Sequence, residues 1–199
     1  MKIFVLIILV LSLTGCSANL GLVENKVYNE NSLKNYTNLS DDMHMDKYIN
    51  RQDAINIAYN VINKGFGVQL DRNSLDEYIS LYELNSKFFW NISMSNKDLK
   101  VSNYVRISCE NGEILEASTY KYSAEDEYIE DDESFTFEKC LSIIKPLTDT
   151  LEINVDEYEV NIVDNYRQIG VELLKDDIIK YGFRIDRGNG ILVNYYKGE

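Results

Sequence analysis

From Arg51 onward, apolar side chains recur at helical spacing. Ala54, Ile55, Ile57, Ala58, Tyr59, Val61 and Ile62 share one wide arc, and Asp53, Asn56, Asn60 and Asn63 lie opposite. Asn50 is a good N-cap, Asp53 sits where the helix dipole favours an acid, and Lys64, Gly65 and Gly67 supply C-terminal signals. The pattern predicts an amphipathic helix lying on a sheet. After Asp71 the period becomes two. Strands are expected at Tyr78 to Leu84, Lys87 to Met94, Val101 to Cys109 and Glu113 to Tyr120. In the second, Phe88, Trp90, Ile92 and Met94 face one way and Phe89, Asn91 and Ser93 the other. Asn111-Gly112 supplies a turn tolerant of positive φ.

The same order then recurs. Thr136 can cap a helix carrying Phe137, Cys140, Leu141 and Ile144 at helical spacing, shortened or kinked by Pro146. Strand-like segments follow at Tyr158 to Val163, Gln168 to Leu174, Ile178 to Asp186 and Gly190 to Tyr196. Offsets between the halves are nearly constant: 86 from Asn50 to Thr136, 80 from Tyr78 to Tyr158, and 77 from both Val101 to Ile178 and Ile114 to Ile191. Val105-Arg106-Ile107 before Asn111-Gly112 is echoed by Phe183-Arg184-Ile185 before Asn189-Gly190. The expected class is α+β, with two tandem modules, each a helix packed on a four-stranded antiparallel meander.

The N-terminus follows a different pattern. Lys2 precedes an apolar block from Ile3 to Leu13, too short to cross about 30 Å of hydrocarbon comfortably. Its end, Leu13-Thr14-Gly15-Cys16, resembles the lipobox of bacterial lipoproteins. That resemblance implies cleavage between Gly15 and Cys16, diacylglycerol on the Cys16 thiol, and further acylation by a fatty acid such as palmitate. Two acyl chains suffice for stable anchoring where one is marginal. The expected organisation is a signal peptide at 1–15, the lipidated Cys16 and a polar tether to 47, a first module at 48–122, an acidic linker at 123–133 and a second module at 134–199.

The formal net charge is -13, and removing Lys2 with the signal makes it more negative. This argues against nucleic acid and against electrostatic attraction to an anionic membrane surface. The expected attachment to the membrane is therefore through the N-terminal lipid. The acidic run SAEDEYIEDDE lacks the alternating pattern and central glycine of an EF-hand loop.

A helix with a capped polar turn, followed by a meander ending in the repeated basic-Ile, Asn-Gly and Ile-Leu elements, is similar to PepSY-type domains. These small modules occur in protease propeptides and in cell-envelope lipoproteins. The resemblance covers roughly residues 48–121 and 134–198, and a cystatin-like helix-on-sheet fold would generate similar patterning. It implies a non-catalytic role on the extracytoplasmic face of a cell membrane: inhibiting or chaperoning a protease, or binding an envelope partner.

Catalytic patterns are absent from the sequence: there is no HExxH, CxxC, Walker loop, GxGxxG or GxSxG. The single histidine, His44, lies in the expected tether, and Cys109 and Cys140 are expected as buried free thiols. No catalytic residue, cofactor or metal is assigned. Phe89 is the one candidate binding residue, expected as a partly exposed strand residue beside core Phe88 and Trp90. Two further readings differ in class: a structural accessory lipoprotein of an envelope or spore-coat assembly, and an envelope hydrolase using paired carboxylates.

Overall fold

Asn50 begins the first helix in the manner its chemistry dictates. Its side-chain oxygen accepts the Asp53 backbone N–H at 2.9 Å and its amide donates to the Asp53 carboxylate at 2.7 Å. In the computed structural model the described residues are 27–28, 48–85, 87–96, 101–121, 135–165 and 167–198. The lipobox, Cys16, His44 and the acidic run lie outside them.

The elements are β1 (Val27–Tyr28), α1 (Arg51–Asn60), which continues as a π-helical turn over Val61–Gly65, β2 (Asp76–Leu84), β3 (Lys87–Ser95), β4 (Val101–Ser108), β5 (Ile114–Lys121), α2 (Phe137–Thr150), β6 (Glu159–Asp164), β7 (Gln168–Lys175), β8 (Ile178–Asp186) and β9 (Ile191–Lys197). Short 3-10 turns at Arg72–Ser74 and Val155–Glu157 precede β2 and β6. All the strands join one sheet of order β1-β2-β3-β4-β5-β9-β8-β7-β6. Every pairing is antiparallel except that of β1, which lies parallel to β2 and sets Tyr28 opposite Ile79. β5 and β9 meet through three residue pairs, with Ala117 opposite Tyr195 at the centre.

Register explains the core. Ile79, Ile92, Val105, Ala117, Tyr195, Phe183, Val171 and Ile162 form one row across eight strands. All but Ile162 are buried. With Ala54, Ile55, Ala58 and Ile62 of the first helical segment and Cys140, Ile144 and Leu147 of α2 they make a single apolar cluster. Burying such side chains is worth about 1.5–3 kcal/mol each before the loss of chain entropy. α2 packs on the Val61–Gly65 turn, so the helices touch each other as well as the sheet.

Several expectations change. Pro146 does not end the second helix, which runs on to Thr150. Phe89 is 9% exposed, not partly exposed. Tyr195, next to the partly exposed Tyr196 in a polar-looking stretch of β9, is 2% exposed and belongs to the core. Cys109 and Cys140 are buried free thiols.

Candidate functional site

The side chains alternating with the core rows form the opposite face of the sheet. One polar row runs Ser80, Asn91, Arg106, Glu116, Tyr196, Gly182, Glu172 and Asn161; a second runs Tyr78, Ser93, Tyr104, Ser118, Asn194, Arg184, Gly170 and Val163. Two arginines organise it.

Arg106 Nε donates to the Tyr104 hydroxyl at 3.1 Å, and that hydroxyl donates to Asn91 Oδ1 at 2.9 Å. The Arg106 guanidinium stands 5.9 Å from the Tyr82 ring centroid and 5.8 Å from that of Tyr104, within cation-π range, and 3.3 Å from the Glu116 carboxylate. Burial raises the Tyr104 pKa above its ordinary value, so the hydroxyl stays protonated and can donate.

Arg184 is held differently. Its guanidinium lies 5.6 Å from the Tyr196 ring centroid, and Nη1 is 3.9 Å from Glu172 Oε1, buried with no hydrogen-bond partner. The Asn161 side chain donates to the other Glu172 oxygen at 3.1 Å. Two strand glycines allow this: a Cβ at Gly170 would stand 2.1 Å from Arg184 Nη1, and one at Gly182 2.1 Å from the Tyr196 ring. Arg184 and Tyr196 therefore sit directly over bare backbone. The arrangement presents planar, partly desolvated arginine and tyrosine groups, the residue types enriched where protein partners bind most tightly.

Phe89 shares this face, its ring 5.4 Å from that of Tyr82 and tilted by 32°. It supports Tyr82, which in turn lies beside Arg106. Phe88, on the other face, meets Tyr48 edge-on at 6.1 Å. The sequence marks both arginines through the repeated basic-Ile pair, and glycines inside β7 and β8 are the further signal of close approach.

On the helix-bearing side, a cleft of about 390 Å³ opens where the two halves meet, lined by Ile57, Asn60, Glu113, Leu151, Glu152 and Tyr181 among others. Glu113 of its lining pairs with Lys197, and the Tyr195 hydroxyl donates to the Ile114 carbonyl at 3.3 Å. Burial, aided by Tyr158, pushes the Tyr181 hydroxyl up to about 12. Beneath α1, the fully buried Glu77 carboxylate accepts from the Tyr59 hydroxyl and from Arg72 Nε, both at 2.8 Å. That cluster ties the helix to β2. Among the described residues no group of three or more His, Cys, Asp or Glu is placed to hold a metal ion, and no helix is long and apolar enough to cross a membrane.

No protein-family model matches the chain, and no curated protein is significantly similar to it. Among solved structures, the chain is similar to the Bacillus megaterium YpeB C-terminal domain, with a TM-score of 0.51 at 5% identity over 76% of this chain. The match spans 64% of that chain's length. A lipoprotein candidate from Clostridium difficile 630 aligns with a TM-score of 0.30 at 19% identity, covering 79% of this chain and 98% of that one. What this chain shares with the Bacillus domain is an α+β fold built on an antiparallel sheet.

Proposed function

We propose that this chain is a lipid-anchored extracytoplasmic protein in which two diverged PepSY-like copies form one non-catalytic binding module, inhibiting or chaperoning an envelope protein such as a protease. The observation that carries the reading is the helix-free sheet face, where Arg106 and Arg184 stand within cation-π range of tyrosines and beside glutamates.

Several features support duplication. Arg106 and Arg184 are 78 residues apart, and each precedes a register shift in its hairpin. The following turns match: Gly112 and Gly190 both have positive φ, and the N–H of the next residue donates to Asn111 Oδ1 in one turn and to Asn189 Oδ1 in the other. Ala117 and Tyr195 are also 78 apart and face each other, with Glu116 opposite Tyr196 and Ser118 opposite Asn194. Such a register is that of an approximate two-fold axis between equivalent strands.

The test is capture of envelope proteins by the full chain and by an Arg106→Ala/Arg184→Ala variant. One partner retained by the parent and lost by the variant is the expected outcome. Repeated capture of nothing above background would end the reading. Co-purification in a fixed ratio with components of an assembly would favour an accessory structural role instead.

A further inference from the structure

The row of core residues that crosses the sheet ends in an isoleucine at each side, Ile79 on β2 and Ile162 on β6. The two ends are finished differently. Ile79 stands opposite Tyr28 of β1, a piece of the chain's own N-terminal region added in parallel. Beyond Ile162 there is no strand among the described residues.

The β6–β7 hairpin fixes which of the β6 groups are open. The Asn165 N–H donates to the Gln168 carbonyl at 3.0 Å across the turn. Bonded and non-bonded pairs alternate in an antiparallel ladder, so Val163, Asn161 and Glu159 direct their backbone groups toward β7. Val160, Ile162 and Asp164 direct theirs outward. An incoming strand would therefore meet donors and acceptors at every second residue, the pattern that strand addition requires.

Side chains along this edge state what the incoming strand must be. Val160 and Ile162 are only partly buried, packed against the core from its margin. An apolar side chain on the helix-bearing side would complete that burial. Asp156, Glu157, Glu159 and Asp164 stand between residues 156 and 164 with no base among them. All four are exposed, and Arg187 of β8's end reaches Asp164. Glu159 is on the helix-free side, where a basic side chain would meet it. The whole chain, at -13, adds long-range attraction for a basic segment.

We infer that the β6 edge is a docking site for an extended segment of a partner protein, with apolar and basic residues alternating, added as a further strand beside Val160 to Asp164. This rests on the binding role proposed above and gives the partner's chemistry. β1 on the opposite edge shows the geometry in use within the same sheet.

The full chain, 15N-labelled in mild detergent, is titrated with a short capped peptide alternating valine and lysine, and with its valine-glutamate counterpart. The valine-lysine peptide is expected to slow hydrogen exchange at the Val160, Ile162 and Asp164 amides, and the glutamate peptide to leave them unchanged. Ile162→Pro removes an outward N–H, a place where an edge strand tolerates proline. It should weaken the valine-lysine peptide at least about tenfold while β7 to β9 keep their protection. Should that variant unfold, Glu159→Lys decides, since it should reverse the preference between the two peptides. Protection mapped elsewhere, or Glu159→Lys binding both peptides as the parent does, overturns the inference. The two proposals separate as well. An envelope partner captured equally by parent and folded Ile162→Pro keeps the binding role and removes the edge; edge binding of the peptide with no envelope partner does the reverse.

Discussion

Gly65 lies so close to α2 that a Cβ built on it would stand 2.4 Å from Leu147 Cδ1. This is where the two helices touch, and it sets how both halves share one core. Gly65→Ala must push Leu147 or the helix aside, an overpacking that costs about 1–3 kcal/mol. Urea unfolding should register that loss. Leu147→Ala alone should cost about 2–5 kcal/mol, and the double variant less than the sum, because the new methyl partly fills the space vacated.

Glu77 is the second prediction. Its carboxylate holds Tyr59 of α1 and Arg72 at once and is wholly buried. Glu77→Ala removes the acceptor of the part-buried Tyr59 hydroxyl and breaks the Arg72 ion pair, and should cost about 3 kcal/mol or more. Tyr59→Phe removes only one hydrogen bond and should cost about 1 kcal/mol. Equal losses from the two in thermal unfolding would show that the carboxylate is not the centre of the cluster.

Alkaline pH should destabilise the protein. Burial pushes the Cys109 thiol from its ordinary 9.0 to about 12, with Glu110 adding to the shift, and Tyr181 from 10.0 to about 12. Above pH 9 the unfolded thiol loses its proton while the folded one keeps it, so the unfolded state binds fewer protons and stability falls as pH rises. Tyr181 adds to the slope above pH 10. Urea midpoints should be independent of these groups below pH 9 and drop steadily toward pH 12. Until then Cys109 should resist thiol reagents in the folded chain and react on unfolding.

Gly182→Ala tests the helix-free face. The new Cβ would collide with the Tyr196 ring at 2.1 Å, so the ring must leave its place beside Arg184. Ring-proton NMR shifts of Tyr196 should change while the fold persists, and partner capture should fall. Capture unaffected by a displaced ring would remove this face from the binding site.

Cys16→Ser tests the anchor. It should abolish incorporation of labelled palmitate and release the protein from the membrane fraction.

Much of this fold was legible because alternation and turn chemistry act locally. Asn50, Thr136, Asn111-Gly112 and Asn189-Gly190 each do what their side chains or backbone freedom dictate within four residues. What remained hidden depends on distant partners. Tyr195 looks like a surface tyrosine until β9 pairs with β5 and sets it opposite Ala117, whose small side chain leaves room for the ring. Phe89 reads as partly exposed because alternation assigns it to the polar face, yet Tyr82 across the strand pair packs against it. Pro146 reads as shortening or kinking its helix, but Leu147 and Thr148 beyond it are buried, and that packing carries the helix past its missing hydrogen bond. The arginine platform was legible only in part: the repeated arginines were visible, while their seat on Gly170 and Gly182 required the register.

The three-pair junction of β5 with β9 also orders events during synthesis. β5 emerges early and is finished long before its neighbour, because β9 does not begin until Ile191 whereas β5 ends at Lys121. Through that interval the inner edge of β5 stands bare, and the slot beside Ala117 that Tyr195 will fill is open. A chain cut before Ile191 would keep β2 to β5 and carry a permanently sticky seam through what should have been the middle of its sheet.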